Sequence, residues 1–207
     1  MKLTSFVGLR INFDPAPSDH SRVVQRIIED TQPAFDAHDG KTAVRGMLKA
    51  LALEPDSPTL RNNLAAAYNL VGEDEQYKKI ISDLHNDHPD YFFGRVNMAM
   101  LHIIAGEPEA AQALLEPLQT RNEFHITEYR SLCNATIKLA WSRHDLVIAR
   151  QWLEMWEMLE PDNDGCIHWR GHIDMMTNLN KGLERLTNRK PRKPRKPKQT
   201  PQQELEM

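Results

Sequence analysis

The chain has 207 residues, with 26 Lys and Arg against 29 Asp and Glu and a formal net charge of −3, so it is long enough to bury a core without covalent staples. No apolar run reaches the roughly 18 residues needed to span a bilayer, and the two cysteines, Cys133 and Cys166, are too few and too far apart for a disulfide-built scaffold. The near-neutral total hides a split: residues 1–180 carry 17 cationic against 26 acidic side chains, a balance of −9, while residues 181–207 carry 9 against 3, a balance of +6, the asymmetry of an acidic body with a basic interaction segment.

In chain order, residues 1–18, MKLTSFVGLRINFDPAPS, are interrupted by Arg10 and offer no small-residue cleavage site, so they do not read as a secretory leader. The protein is expected to be soluble and cytoplasmic, and the segment to be a strand, a docking arm or the remnant of a longer protein. A helix over residues 20–37 contains Pro33, and AVRGMLKALALEPDSP then aligns Ala43, Met47 and Ala50 ahead of Pro55. Leu64, Ala65, Tyr68 and Val71 recur at helical spacing until Gly72 stops the helix, because a left-handed residue costs least at glycine. Its partner, residues 73–86, carries Tyr77, Ile80, Ile81 and Leu84 on one face, and Pro89 closes it. The next pair repeats the plan with Val96, Met98, Ala99 and Ile103, then Gly106, then Ala110, Ala111, Leu114, Leu115 and Leu118.

About four extra residues follow around 121–126. Helices over 129–141 and 147–159 then end at Pro161, with Ala149, Leu153 and Trp156 in register. Trp152, Met155, Trp156 and Leu159 form a stripe at helical spacing that reads as core. A final helix over 166–186 is expected to cap the stack. Three segments result: an arm over 1–18, a helical domain over 19–187, and a tail over 188–207 whose Pro-rich, charged composition predicts disorder.

The spacing is periodic. LRNNLAAAYNLVGEDEQY and GRVNMAMLHIIAGEPEAA align at 34 residues, pairing Arg61 with Arg95, Asn63 with Asn97, Ala65 with Ala99 and Gly72 with Gly106, while Pro55 and Pro89 keep the same distance. The pattern resembles the tetratricopeptide repeat family, most closely through Leu64, Ala65, Tyr68, Gly72, Ile81, Leu84 and Pro89 and through Met98, Ala99, Gly106, Ala111, Leu115 and Leu118. It departs at Tyr77, where a small residue is usual, and at Glu123, where the proline would fall. The resemblance implies an all-α solenoid of about four helix-turn-helix units over residues 20–186, the first degenerate and the fourth weaker than the central two.

By that resemblance the first helix of each pair lines a concave groove. The groove residues would include Asn63, Ala66, Asn69 and Leu70 in the second unit and Asn97, Met100, Ile103 and Ile104 in the third. The implied activity is non-catalytic: an adaptor holding a peptide or protein, with no cofactor. Members that clamp a chaperone's terminal carboxylate use two Lys, two Asn and an Arg. The matching positions here read Ile28, Gln32, Asn63, Phe93 and Asn97, so such a clamp is not expected, and the acidic body favours a basic or apolar partner.

The tail holds three consecutive Arg-Lys-Pro triplets, and a three-residue period matches polyproline II. Arg189, Arg192 and Arg195 would share one edge, Lys190, Lys193 and Lys196 another, with Lys198 beyond. Such a strip could hold nucleic-acid phosphates, serve as a nuclear address or fold back on the acidic body. Cys166, His168 and His172 are close in sequence and the two histidines share a face, yet they lack a fourth metal ligand at a recognised spacing and are better read as helix residues. His85 and His88 suit a helix end. No phosphate loop, dinucleotide turn or nucleophile motif occurs.

Overall fold

The structure, a computed structural model, describes residues 8–15 and 19–187. Its elements run β1 (Arg10–Asn12), α1 (Arg22–Asp36), α2 (Gly40–Leu53), α3 (Pro58–Val71), α4 (Asp74–Asp87), α5 (Phe92–Ala105), α6 (Pro108–Gln119), β2 (Glu123–His125), α7 (Ile126–Ser142), α8 (Leu146–Glu157) and α9 (Asp164–Thr187). The eight helices from α1 to α8 form four hairpins stacked into an α-solenoid, and α9 closes the far end.

One turn closes all four hairpins. His38, Gly72, Gly106 and His144 have φ of +56°, +81°, +76° and +58° and lie 34, 34 and 38 residues apart. In each, the left-handed residue donates its N–H to the carbonyl three residues back and the following N–H reaches the carbonyl five back. Examples are Gly72 to Asn69 at 3.1 Å with Glu73 to Tyr68 at 3.0 Å, and His144 to Trp141 at 3.0 Å with Asp145 to Ala140 at 2.9 Å. These bonds satisfy the orphan carbonyls of the first helix and aim the chain into the second. Asp39 and Asp145 then cap the second helix by accepting from Thr42 N and Ile148 N.

Beyond the turns, small residues set the packing distance. Ala43, Ala111 and Ala149 take the same place in their second helices and are fully buried, while Tyr77 fills it in the second hairpin. From the second hairpin on, first helices pack on one another, α3 on α5 and α5 on α7, whereas none of the second helices packs substantially on the next. The first helices are therefore the inner side of the curve. The largest core runs from Phe92 to Ile173 through α5 to α9, and smaller clusters fill the first two hairpins.

The four extra residues build an unexpected corner. β2 pairs in parallel with β1, in the register Arg10 with Glu123, Ile11 with Phe124 and Asn12 with His125. Phe124 is buried edge-on between Phe92 and Tyr129, and the Arg121 guanidinium lies over the rings of Phe92 and Phe124. His125 caps α7, which starts at Ile126, three residues earlier than the spacing predicts, because Glu128 completes a capping box with it. The second ring nitrogen of His125 lies 2.9 Å from the carbonyl of Asp14. Six residues further on, His20 and the Ser21 N–H meet the Glu54 carboxylate at the end of α2. Residues 10–14 thus meet the corner before the fourth hairpin, while His20 and Ser21 meet the end of the first.

Ion pairs fasten neighbouring elements: Arg61 with Asp87 at 2.7 Å, Arg170 with Glu157 at 2.6 Å, and Arg130, whose Nε donates to Glu160 at 3.0 Å and whose Nη2 takes the other oxygen. The Arg130 hydrogen bonds, aided by the Trp156 indole N–H, hold the Glu160 carboxyl below its ordinary value. A depressed carboxylate stabilises the fold above its unfolded pKa, and that contribution is lost as pH falls through the folded one.

Two outcomes are expected. Gly72→Ala loses about 1 kcal/mol, since no neighbour crowds its missing Cβ and only the conformation is at stake, whereas His144→Gly gains a comparable amount; urea denaturation measures both. Denaturation series from neutral to strongly acidic pH show the wild type losing, below the usual glutamate pKa, a stability increment that Glu160→Gln lacks throughout.

Candidate functional site

The inner face is joined laterally by two equivalent polar rungs. Asn97 Nδ2 donates to Asn62 Oδ1 at 2.8 Å between α5 and α3, and Trp169 Nε1 donates to Asn134 Oδ1 at 2.7 Å between α9 and α7. Each rung spans 35 residues. Counted back from the left-handed turns, position 63 is equivalent to 97 and 135, and Trp169 stands one unit further on. The second asparagine of the expected ladder thus bonds to its neighbouring repeat.

The expected groove residues are unequal in what they present. Ala66, Asn69 and Ile104 are exposed, Ile104 to 65%. Asn63 and Leu70 are half-buried, Met100 packs against the main core, and Ile103 is a buried member of it. Of the set, Ala66, Asn69 and Ile104 are thus the side chains most open to solvent on α3 and α5. Arg189, Lys190, Arg192, Lys193, Arg195, Lys196 and Lys198 lie outside the described residues.

Between α7 and α9 lies an aromatic and imidazole cluster. The Trp141 ring is 5.9 Å from Trp169 and 6.0 Å from His172, and His168 is 4.3 Å from His172, centroid to centroid. Trp169 is buried and the two histidines are exposed. Beside them Trp141, His144, Leu146, Met176 and Asn180 line a cavity of about 270 Å³. Sequence spacing paired His168 with His172 but missed the tryptophans; carrying the repeat register through the four-residue insertion places Trp169 level with Asn97.

The chemistry open to the remaining groups is limited. Cys133 and Cys166 are buried, and burial pushes both thiols up, Cys166 to about 11, so neither supplies a thiolate at neutral pH. His88 caps α4, and His85 stands in its last turn, where burial first, then Arg95 and His102, push its imidazole below the ordinary value. Trp152 and Trp156 are buried in the core as the stripe predicts. Arg61 pairs with Asp87, whereas the buried Nε of Arg95 has no hydrogen-bond partner. Among the described residues no three or more His, Cys, Asp or Glu come together as metal ligands, and no helix is long and apolar enough to cross a membrane.

Compared with known proteins, the sequence matches no protein-family model, and a search of curated proteins likewise returns no match.

Asn134→Ala is expected to destabilise the fold by about 1–2 kcal/mol, because the Trp169 N–H loses its acceptor inside the stack. Asn62→Ala costs less, since Asn97 retains access to water. Urea titration followed by tryptophan fluorescence separates the two.

Proposed function

We propose that this α-solenoid is a scaffold of tetratricopeptide type that holds a peptide or protein segment of apolar or basic character along its inner face. The observation that carries the reading is the recurrence of one turn geometry at His38, Gly72, Gly106 and His144, which puts the first helices in register as a single strip. Uniform register aligns exposed positions of successive helices, as recognition of an extended segment requires. The strip offers side chains of the right kind: the Asn63 and Asn69 amides can donate to and accept from a peptide backbone, and Ala66, Leu70 and Ile104 leave apolar space beside them. The excess of acidic groups over residues 1–180 favours a cationic or neutral occupant.

A second reading rests on the seven cations over 189–198, which would give affinity for nucleic-acid phosphates without sequence specificity while the repeats dock elsewhere. The experiment is affinity capture from lysate with the full chain, with an Ala66→Arg/Ile104→Glu variant, and with the chain cut after residue 187. Both substitutions lie at exposed positions and leave folding intact. Loss of the captured protein with the double variant and its retention after truncation support the inner-face scaffold. The reverse pattern, with affinity falling steeply with salt at a log–log slope of up to about −6, supports the tail-driven reading.

A further inference from the structure

The terminal helix α9 buries Cys166, Trp169 and Ile173 against the stack. Toward α8, where the charges of a cap belong, Arg170 pairs with Glu157, and Asp174 with Arg150. At about 100° per residue, His168, His172, Met175, Leu179 and Leu183 fall on a further stripe, next to the buried one and away from those ion pairs. Met175, Leu179 and Leu183 are 60%, 53% and 51% exposed, and no Asp, Glu, Lys or Arg lies on the stripe. No described element covers it.

Two glycines flank the stripe at Gly171 and Gly182. A Cβ at either would meet no atom within 4 Å, so this copy of the chain takes no packing benefit from them, while each weakens a helix interior by about 1 kcal/mol relative to alanine. Glycine beside an apolar row lets a second helix backbone approach closely, and the 4, 3, 4, 4 spacing of the row is that of a helix-pairing seam.

We propose that α9 is a self-association surface, on which two copies of the chain pair through antiparallel α9 helices about a twofold axis near Leu179. The symmetry sets Leu179 against its own counterpart and Met175 against Leu183 of the second copy, so one patch serves both sides, as an isologous contact requires. The commitment to a second copy rests on the lack of Asp, Glu, Lys and Arg on the stripe: it gives a charged ligand nothing to pair with, and Met175, Leu179 and Leu183 of two copies meet without repulsion. With the axis at Leu179 the two helices overlap over residues 171–187 of α9, about 25 Å, and this contact, with the rim at Trp141 and Met176, falls at the small end of interfaces, the size of a reversible dimer.

Sedimentation velocity of the full chain over about 1 to 100 µM tests this. The expected result is a concentration-dependent rise from the 23.9 kDa monomer toward twice that mass. Leu179→Glu/Leu183→Glu abolishes the rise with helix content unchanged by circular dichroism. Gly182→Ala raises the melting temperature of the monomer yet weakens association by roughly tenfold, a split that a merely structural glycine would not give. Leu179→Cys, in a chain whose native cysteines are buried, forms a disulfide-linked dimer under mild oxidation. A monomer throughout the range with no cross-link at position 179 overturns the proposal. A full chain that dimerises only after residues 188–207 are removed also overturns it, because the tail is then the occupant, as does a different protein captured on α9 by a chain that stays monomeric. These outcomes are independent of the Ala66 and Ile104 substitutions, so failure here leaves the inner-face reading standing.

Discussion

Four residues held at positive φ decide how this chain is organised. At His38, Gly72, Gly106 and His144 the same two backbone hydrogen bonds finish one helix and start the next. The crossing of every hairpin is thereby fixed locally, before any side chain packs. Fully buried alanines then hold three of the pairs at one separation. Stacking follows, because a single hairpin leaves an apolar face that only another hairpin can cover. The asymmetry between packed first helices and separated second helices makes the stack curve, and the curvature is what gives the protein an inner face.

Glycine and proline made the central half of this plan legible in the sequence, because their backbone preferences are chemical and survive without context. Gly72, Gly106, Pro55 and Pro89 announced the register. His38 and His144 did the same work silently, since histidine enters the left-handed region more readily than most side chains yet far less often than glycine, and so marks no turn by itself. A strand was one of three readings of residues 1–18, but neither β2 nor its pairing with β1 was legible. Three-residue strands carry too little pattern, and β1 and β2 are more than a hundred residues apart, so only the folded path brings Ile11 to Phe124. At the inner face, sequence spacing named positions on α3 and α5, of which Ala66, Asn69 and Ile104 are exposed. It could not tell that Ile103 turns into the core or that Asn97 bonds to Asn62, because both depend on the angle between neighbouring hairpins.

The proposed inner-face site and the proposed α9 surface differ in what they would ask of a partner. The first mixes amides with small and apolar groups along a curved row, which suits a chain with its own unpaired backbone groups. The second is narrow, uncharged and bordered by glycines, which suits another helix. The cluster of Trp141 with Trp169, His168 and His172 lies between α7 and α9, at the rim of the second.

The parallel pairing of Arg10–Asn12 with Glu123–His125 also bears on how the molecule comes apart. A stack held only by nearest-neighbour faces can fray one hairpin at a time from either end. Here the chain preceding the first hairpin is clasped to the corner before the fourth, through the strand pair, the packing of half-buried Leu9 and Ile11 against the main core and the bond between His125 and Asp14. The first three hairpins are thus enclosed in a non-covalent ring, which makes them one cooperative unit and raises the mean sequence separation of native contacts above that of a simple linear array. Tension applied at the amino terminus would load the clasp before it reached any hairpin, so the clasp, and not the outermost repeat, sets the mechanical threshold of that end.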